Sequence, residues 1–163
     1  MIQVKPITDI FPFENNLRVF ELPNTRLIGK SIRHTDETDI SPIPCFWTEF
    51  YEKYHNVTNA LPKIINTNIA WFGEYEPSTK QFTYMICVIC PAQTPVPSGF
   101  EYRDMPSMLL AHGTICKNPP DAHNIEQFSE EVNKSGFMQT GFWCEFYPYQ
   151  NEMINDCCAL FSV

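Results

Sequence analysis

Phe20-Glu21-Leu22-Pro23-Asn24-Thr25-Arg26-Leu27-Ile28-Gly29 has a counterpart 83 residues further on, Arg103-Asp104-Met105-Pro106-Ser107-Met108-Leu109-Leu110-Ala111-His112. In both, an acidic residue, a large apolar residue and a proline precede a run with strand character. The next element repeats as well. Ser41-Pro42 reads as a helix N-cap with proline in the first turn, and Ile43, Phe46, Trp47, Phe50 and Tyr54 fall on one face at helical spacing. Ile125, Phe128 and Val132 do the same before a stop at Ser135-Gly136, and they match Ile43, Phe46 and Phe50 at an offset of 82.

Both halves then run into paired strands. The first offers Ile69 to Tyr75, a turn at Pro77-Ser78-Thr79-Lys80, and Gln81 to Ile89. The second offers Phe142 to Tyr147, a turn near Gln150-Asn151-Glu152, and Ile154 to Val163. Pro91 to Gly99, with three prolines, is a connector. The expected fold is α+β: a pseudo-twofold duplication of a strand-helix-strand-strand unit, with halves at about 17–90 and 98–163. It predicts an antiparallel eight-stranded sheet with two helices and a central groove. Residues 1–16 form an N-terminal extension with at most a short extended piece. Apolar residues on both faces of Phe82 to Ile89 fit a central strand or a dimer contact, and the sequence leaves both open.

The chain has 163 residues, 44% of them hydrophobic, with 13 Phe, 7 Tyr and 3 Trp, which suits one domain with an aromatic-rich core. A net charge of −8 argues against a nucleic-acid partner, because phosphate binding requires a basic patch. No apolar run is long enough to span a membrane, and no signal-peptide core follows Met1. Seven cysteines without a secretion signal read as reduced thiols in a cytoplasmic protein. The Cys87/Cys90 pair lacks a second pair or a nearby histidine, so it reads as buried structure rather than a zinc site, as does Cys157-Cys158. His34, His55, His112 and His123 show no metal-ligand spacing, and with 6 Gly there is no phosphate-cradling loop. Neither a metal nor a cofactor is expected.

Strand alternation places Trp143, Glu145 and Tyr147 on one face, and Trp71, Gly73 and Tyr75 on one face of the first half. At an offset of 72, Trp71 and Tyr75 match Trp143 and Tyr147, and Gly73 matches Glu145. Aromatic faces attract cations by roughly 0.5–2 kcal/mol. A carboxylate among them awaits a partner charge or takes up a proton. The alternative is that the rings are ordinary core and Glu145 reaches solvent, and the pattern leaves both open.

Glu21-Leu22-Pro23 with Leu27-Ile28-Gly29, Trp71 to Tyr75, Phe82 to Met85, Val96 to Glu101 and Glu145-Phe146-Tyr147 together resemble the GyrI-like effector-binding superfamily. That superfamily includes effector domains of AraC-type and multidrug-responsive regulators and integron-associated effector-binding proteins. The resemblance covers residues 17–163. It implies a pocket glutamate that meets cationic lipophilic compounds, similar in position to Glu145, with walls that include Trp71, Tyr84 and Trp143. Trp47 and Phe50 would close the groove. Tyr147 and Tyr75 complete the ligand-binding set. With sixteen residues ahead of the domain, no helix-turn-helix is expected, so the chain reads as a stand-alone bacterial module for a cationic or flat aromatic small molecule. A regulatory protein partner or a homodimer is compatible with it. Two other functions share the resemblance: hydrolysis of strained, cyclopropane-type electrophiles with Glu145 as the catalytic residue, and gyrase inhibition through protein contact.

Overall fold

The computed structural model describes residues 2–11, 16–35, 42–115, 122–147 and 157–163. The chain forms two compact units, residues 25–105 and residues 1–24 with 106–163. Its elements are β1 (Val4–Pro6), a 3-10 turn (Ile7–Ile10), β2 (Arg18–Leu22), β3 (Thr25–Thr35), α1 (Pro42–Lys53), α2 (His55–Asn59), β4 (Asn68–Glu76), β5 (Gln81–Pro91), β6 (Glu101–Met105), β7 (Met108–Ile115), α3 (Ala122–Lys134), β8 (Trp143–Tyr147) and β9 (Cys157–Ser162). The order strand, strand, helix, strand, strand thus occurs twice, as β2-β3-α1-β4-β5 and β6-β7-α3-β8-β9, with α2 inserted in the first. The fold is α+β.

In residues 25–105 the strands lie side by side as β4-β5-β3-β6, all antiparallel. β5 is central, and its residues Thr83 to Cys90 are all buried. That explains the two-faced apolar run: both neighbours and both faces are covered. Burying side chains such as Met85 and Ile86 stabilises the fold by roughly 1.5–3 kcal/mol each. In the other unit the order is β1-β2-β7-β9-β8, antiparallel except for β1, which runs parallel to β2. The units do not follow the sequence halves, because β2 pairs with β7 while β6 pairs with β3. The chain crosses between units at the two matched turns, where the Ser107 N–H donates to Asn24 Oδ1 at 2.7 Å.

Two features go beyond the expectation. To the eight strands and two helices the described residues add the short strand β1 and the short helix α2. The N-terminal stretch is also more than an appendage: Ile7 and Ile10 are fully buried, and Arg18 Nη2 donates to Ile10 O at 2.7 Å. Isolated apolar residues between prolines carry no periodicity, so nothing in the sequence marks them as core.

The helices agree with their spacing. Phe46 and Phe50 are the buried residues of α1, and Phe128 and Val132 are buried on α3. α3 ends as expected: Gly136 takes φ +86°, and Phe137 N–H reaches back to Val132 O while Gly136 N–H reaches Asn133 O. The Pro77–Lys80 turn and the connector are in place; in the connector, Thr94 Oγ1 donates to Pro91 O and Arg26 donates to Thr94 O. The Ser41 cap, the turn near Gln150-Asn151-Glu152 and the start of the last strand at Ile154 lie outside the described residues.

Candidate ligand-binding residues

Register decides which side chains share a face. In the unit of residues 1–24 and 106–163, Trp143 pairs with Phe161 and Glu145 with Ala159, and these partners in turn pair with Ala111 and Gly113. That face carries α3. Ala111 clusters with Phe128 and Val132, with Ile125 and Trp143 against them. The Phe128 ring lies over Gly113, where an added Cβ would come within 2.3 Å of it. Trp143 and Glu145 therefore share the helix-bearing face, as alternation predicts. Glu145 is 4% exposed, so it does not reach solvent at a strand end. Tyr147 closes β8, and its side chain lies outside the described residues.

Behind that face lies a second buried polar group that the sequence did not single out. His112 is fully buried, with its ring edge-on to Phe20 at 5.9 Å, and the Arg18 guanidinium sits over the same Phe20 ring at 5.0 Å. Burial, reinforced by the Arg18 charge, pulls the His112 pKa down to about 3, so it is neutral at physiological pH.

In the unit of residues 25–105 the helix side of the sheet is aromatic. Trp47 Nε1 donates to Tyr84 Oη at 2.8 Å, tying α1 to β5. Tyr84 meets Phe72 edge-on at 5.0 Å, Phe72 stacks on Phe82 at 5.7 Å, and Phe82 meets His34 at 5.5 Å. Along α1, Trp47 contacts Phe50 and stacks on Tyr51. Tyr51 lies against His55, and both bond Asn68. Desolvation raises the Tyr51 pKa; it lowers that of His55, helped by the nearby Lys63 charge. Phe50 is fully buried and serves as core.

Trp71 is not part of this surface. Phe72 pairs with Tyr84, whereas Trp71 pairs with Met85, so Trp71 and Tyr84 point to opposite faces of the sheet. Two adjacent aromatic residues fit either phase of the alternation, so the sequence could not choose between them. The Trp71 indole lies over Gly73, where a Cβ would come within 2.0 Å of the ring. Tyr75 leaves that face: the register slips between Gly73 and Glu76, Glu74 takes φ +54°, and Tyr75 is 53% exposed.

The correspondence of Gly73 with Glu145 fails for the same reason. Matching the register rows Lys30-Ile86-Ala70 and Gly113-Ala159-Glu145 makes buried Ala70 the equivalent of Glu145. Gly73 is glycine because Trp71 needs its space. The acid remains confined to one unit, but for a different reason.

Cys45, Cys87, Cys90 and Cys144 are free thiols. Burial pushes the Cys87 thiol well up and Cys90 to about 11, so neither is poised as a nucleophile. Among the described residues no group of three or more His, Cys, Asp or Glu could hold a metal ion, and no helix is long and apolar enough to cross a membrane.

Antiparallel strands bearing a helix in each of two units, with a carboxylate buried on one helix-bearing face, make this an α+β protein. The chain belongs to the integron-associated effector binding proteins, the Cass2 family, whose model matches residues 18–156. Its fold is similar to that of SAV2435 bound to tetraphenylphosphonium, at 11% identity and TM-score 0.68, covering 91% of this chain and 93% of that one. It is also similar to the C-terminal domain of EcmrR, at 11% identity and TM-score 0.61, covering 90% and 96%. An integron cassette protein from the mobile metagenome of Vibrio cholerae matches at 15% identity and TM-score 0.54, covering 90% and 95%. At these identities the likeness concerns the fold. No curated protein matches the chain in sequence.

Proposed function

We propose that this protein binds a cationic, lipophilic small molecule in the cytoplasm and acts as a sensor or sequestering module, with Glu145 supplying the counter-charge. The observation that carries the reading is the burial of Glu145, 4% exposed, on the α3-bearing face beside Trp143. Buried carboxylates concentrate at functional sites. A relative of the same fold, SAV2435, has been solved with tetraphenylphosphonium, a cation of this kind. Trp47 and Tyr84 offer ring faces on their own unit, residues 25–105.

Isothermal titration with tetraphenylphosphonium is the direct test. Binding should weaken at least tenfold in Glu145→Gln, which corresponds to about 1.4 kcal/mol. Equal affinity in the two proteins would remove Glu145 from the site. Turnover of an electrophilic cyclopropane that Glu145→Gln abolishes would replace the binder by a hydrolase using the same acid.

A further inference from the structure

The face of β4-β5-β3-β6 that carries Trp71 is closed by an ion pair that a flat sheet could not form. Arg103 on β6 pairs in register with Leu27, and Leu27 with Ile89. Gly73, just before Glu74 on β4, pairs with Thr83, and Thr83 with Arg33. On a flat sheet the two positions would be three strand spacings apart sideways and six residues apart lengthwise, roughly 24 Å. Yet Arg103 Nε meets Glu74 Oε1 at 2.6 Å and Arg103 Nη2 meets Glu74 Oε2 at 3.2 Å. Two extended side chains span only about half of that distance, so the sheet coils until its diagonal corners meet.

The bulge aims the acid. Regular alternation would send Glu74 to the opposite face from Gly73, but its φ of +54° turns the carboxylate toward Thr83, whose hydroxyl donates to it at 2.5 Å. Arg33 fastens the bulge by donating to Glu74 O and to Thr83 Oγ1. The Trp71 indole covers Gly73, the residue before Glu74 and the register partner of Thr83. The pair is partly exposed, with side chains 28% and 45% exposed, while Trp71 on the same face is buried.

We infer that Glu74, Thr83 and Trp71 form a second site, specific for an aryl amidinium or guanidinium, and that the protein's own Arg103 occupies it as a latch. The two parallel N–H groups of such a cation match a carboxylate in the way the Arg103 fork does. Its ring would lie on the Trp71 indole. All four residues belong to the unit of residues 25–105.

Benzamidinium and Trp71 emission test this, in a background with Trp47→Phe and Trp143→Phe so that Trp71 is the sole tryptophan. Arg103→Ala should raise acrylamide quenching of Trp71, and 1 M salt should do the same with Arg103 intact, since salt screens an exposed pair. Benzamidinium should bind Arg103→Ala at least tenfold more tightly than the parent and reverse the quenching. Adding Glu74→Gln should abolish that binding, while Glu145→Gln should leave it unchanged. Quenching that neither Arg103→Ala nor salt alters would overturn the latch. Equal benzamidinium binding with and without Glu74→Gln would overturn the site. Failure of tetraphenylphosphonium to depend on Glu145 leaves these outcomes untouched, so the two readings fail separately.

Discussion

Acidification below about pH 6.5 should weaken this protein through His112. In the unfolded chain a histidine takes up its proton near pH 6.5. In the fold, His112 resists until about pH 3, because it is buried against Phe20 with the Arg18 charge nearby. Between those values the unfolded state holds one proton more than the native state, so stability falls as the pH falls, by about 1.4 kcal/mol per pH unit. From pH 6.5 to 5 that amounts to roughly 2 kcal/mol, and the loss levels off below pH 3 at about 5 kcal/mol. Urea unfolding of wild type and His112→Gln at pH 7 and pH 5 measures it. Other groups titrate alike in both proteins, so the difference between the two pH-induced losses isolates His112. Wild type should lose about 2 kcal/mol more than the variant. Equal losses would refute the reasoning and mean that the buried imidazole finds room for its charge.

Gly73→Ala pushes a methyl into the Trp71 ring. It should cost roughly 1–3 kcal/mol in thermal unfolding and shift Trp71 emission. Trp47→Phe removes the donor to Tyr84 while keeping an aromatic ring on α1, so it should cost about 1 kcal/mol in chemical unfolding. Gly136→Ala forces a side chain into φ +86° at the end of α3, with open space around it. The penalty is therefore backbone strain alone, about 1 kcal/mol, visible as a lower unfolding midpoint. The Glu74 carboxyl is held below its usual pKa, chiefly by the Arg103 hydrogen bonds and then by Thr83. The stability it adds is present above the ordinary carboxylate range and should be lost as the pH falls through its lowered value, read as Trp71 quenching in acid.

Several elements could be read directly because local chemistry dictates them. Phe46 and Phe50 announce the buried side of α1 by spacing, and Phe128 and Val132 that of α3; both pairs are buried as matched. Gly136 ends its helix because only glycine tolerates that φ without strain. The candidate site was legible where a strand stays regular. Trp143 and Glu145 lie on one face because β8 keeps its register. It was illegible at β4, where Trp71 and Phe72 are both aromatic and the bulge at Glu74 ends the alternation. Phe72, Phe82 and Tyr51 are not among the expected ligand-binding residues, because an aromatic residue on a strand or helix gives no sign of its neighbours across the sheet.

The amino-acid sequence by itself determined most of the element types, their doubled order and the shared face of Trp143 and Glu145, since periodicity, caps and turn residues are local properties of the chain. Only the tertiary structure decided that β2 and β6 exchange places, that Ala70 rather than Gly73 holds the position in its unit equivalent to Glu145, and that Arg103 reaches Glu74. Each of those depends on strand register and sheet coiling. Both are set by pairing between residues far apart in the chain, and a one-residue slip reverses every side chain.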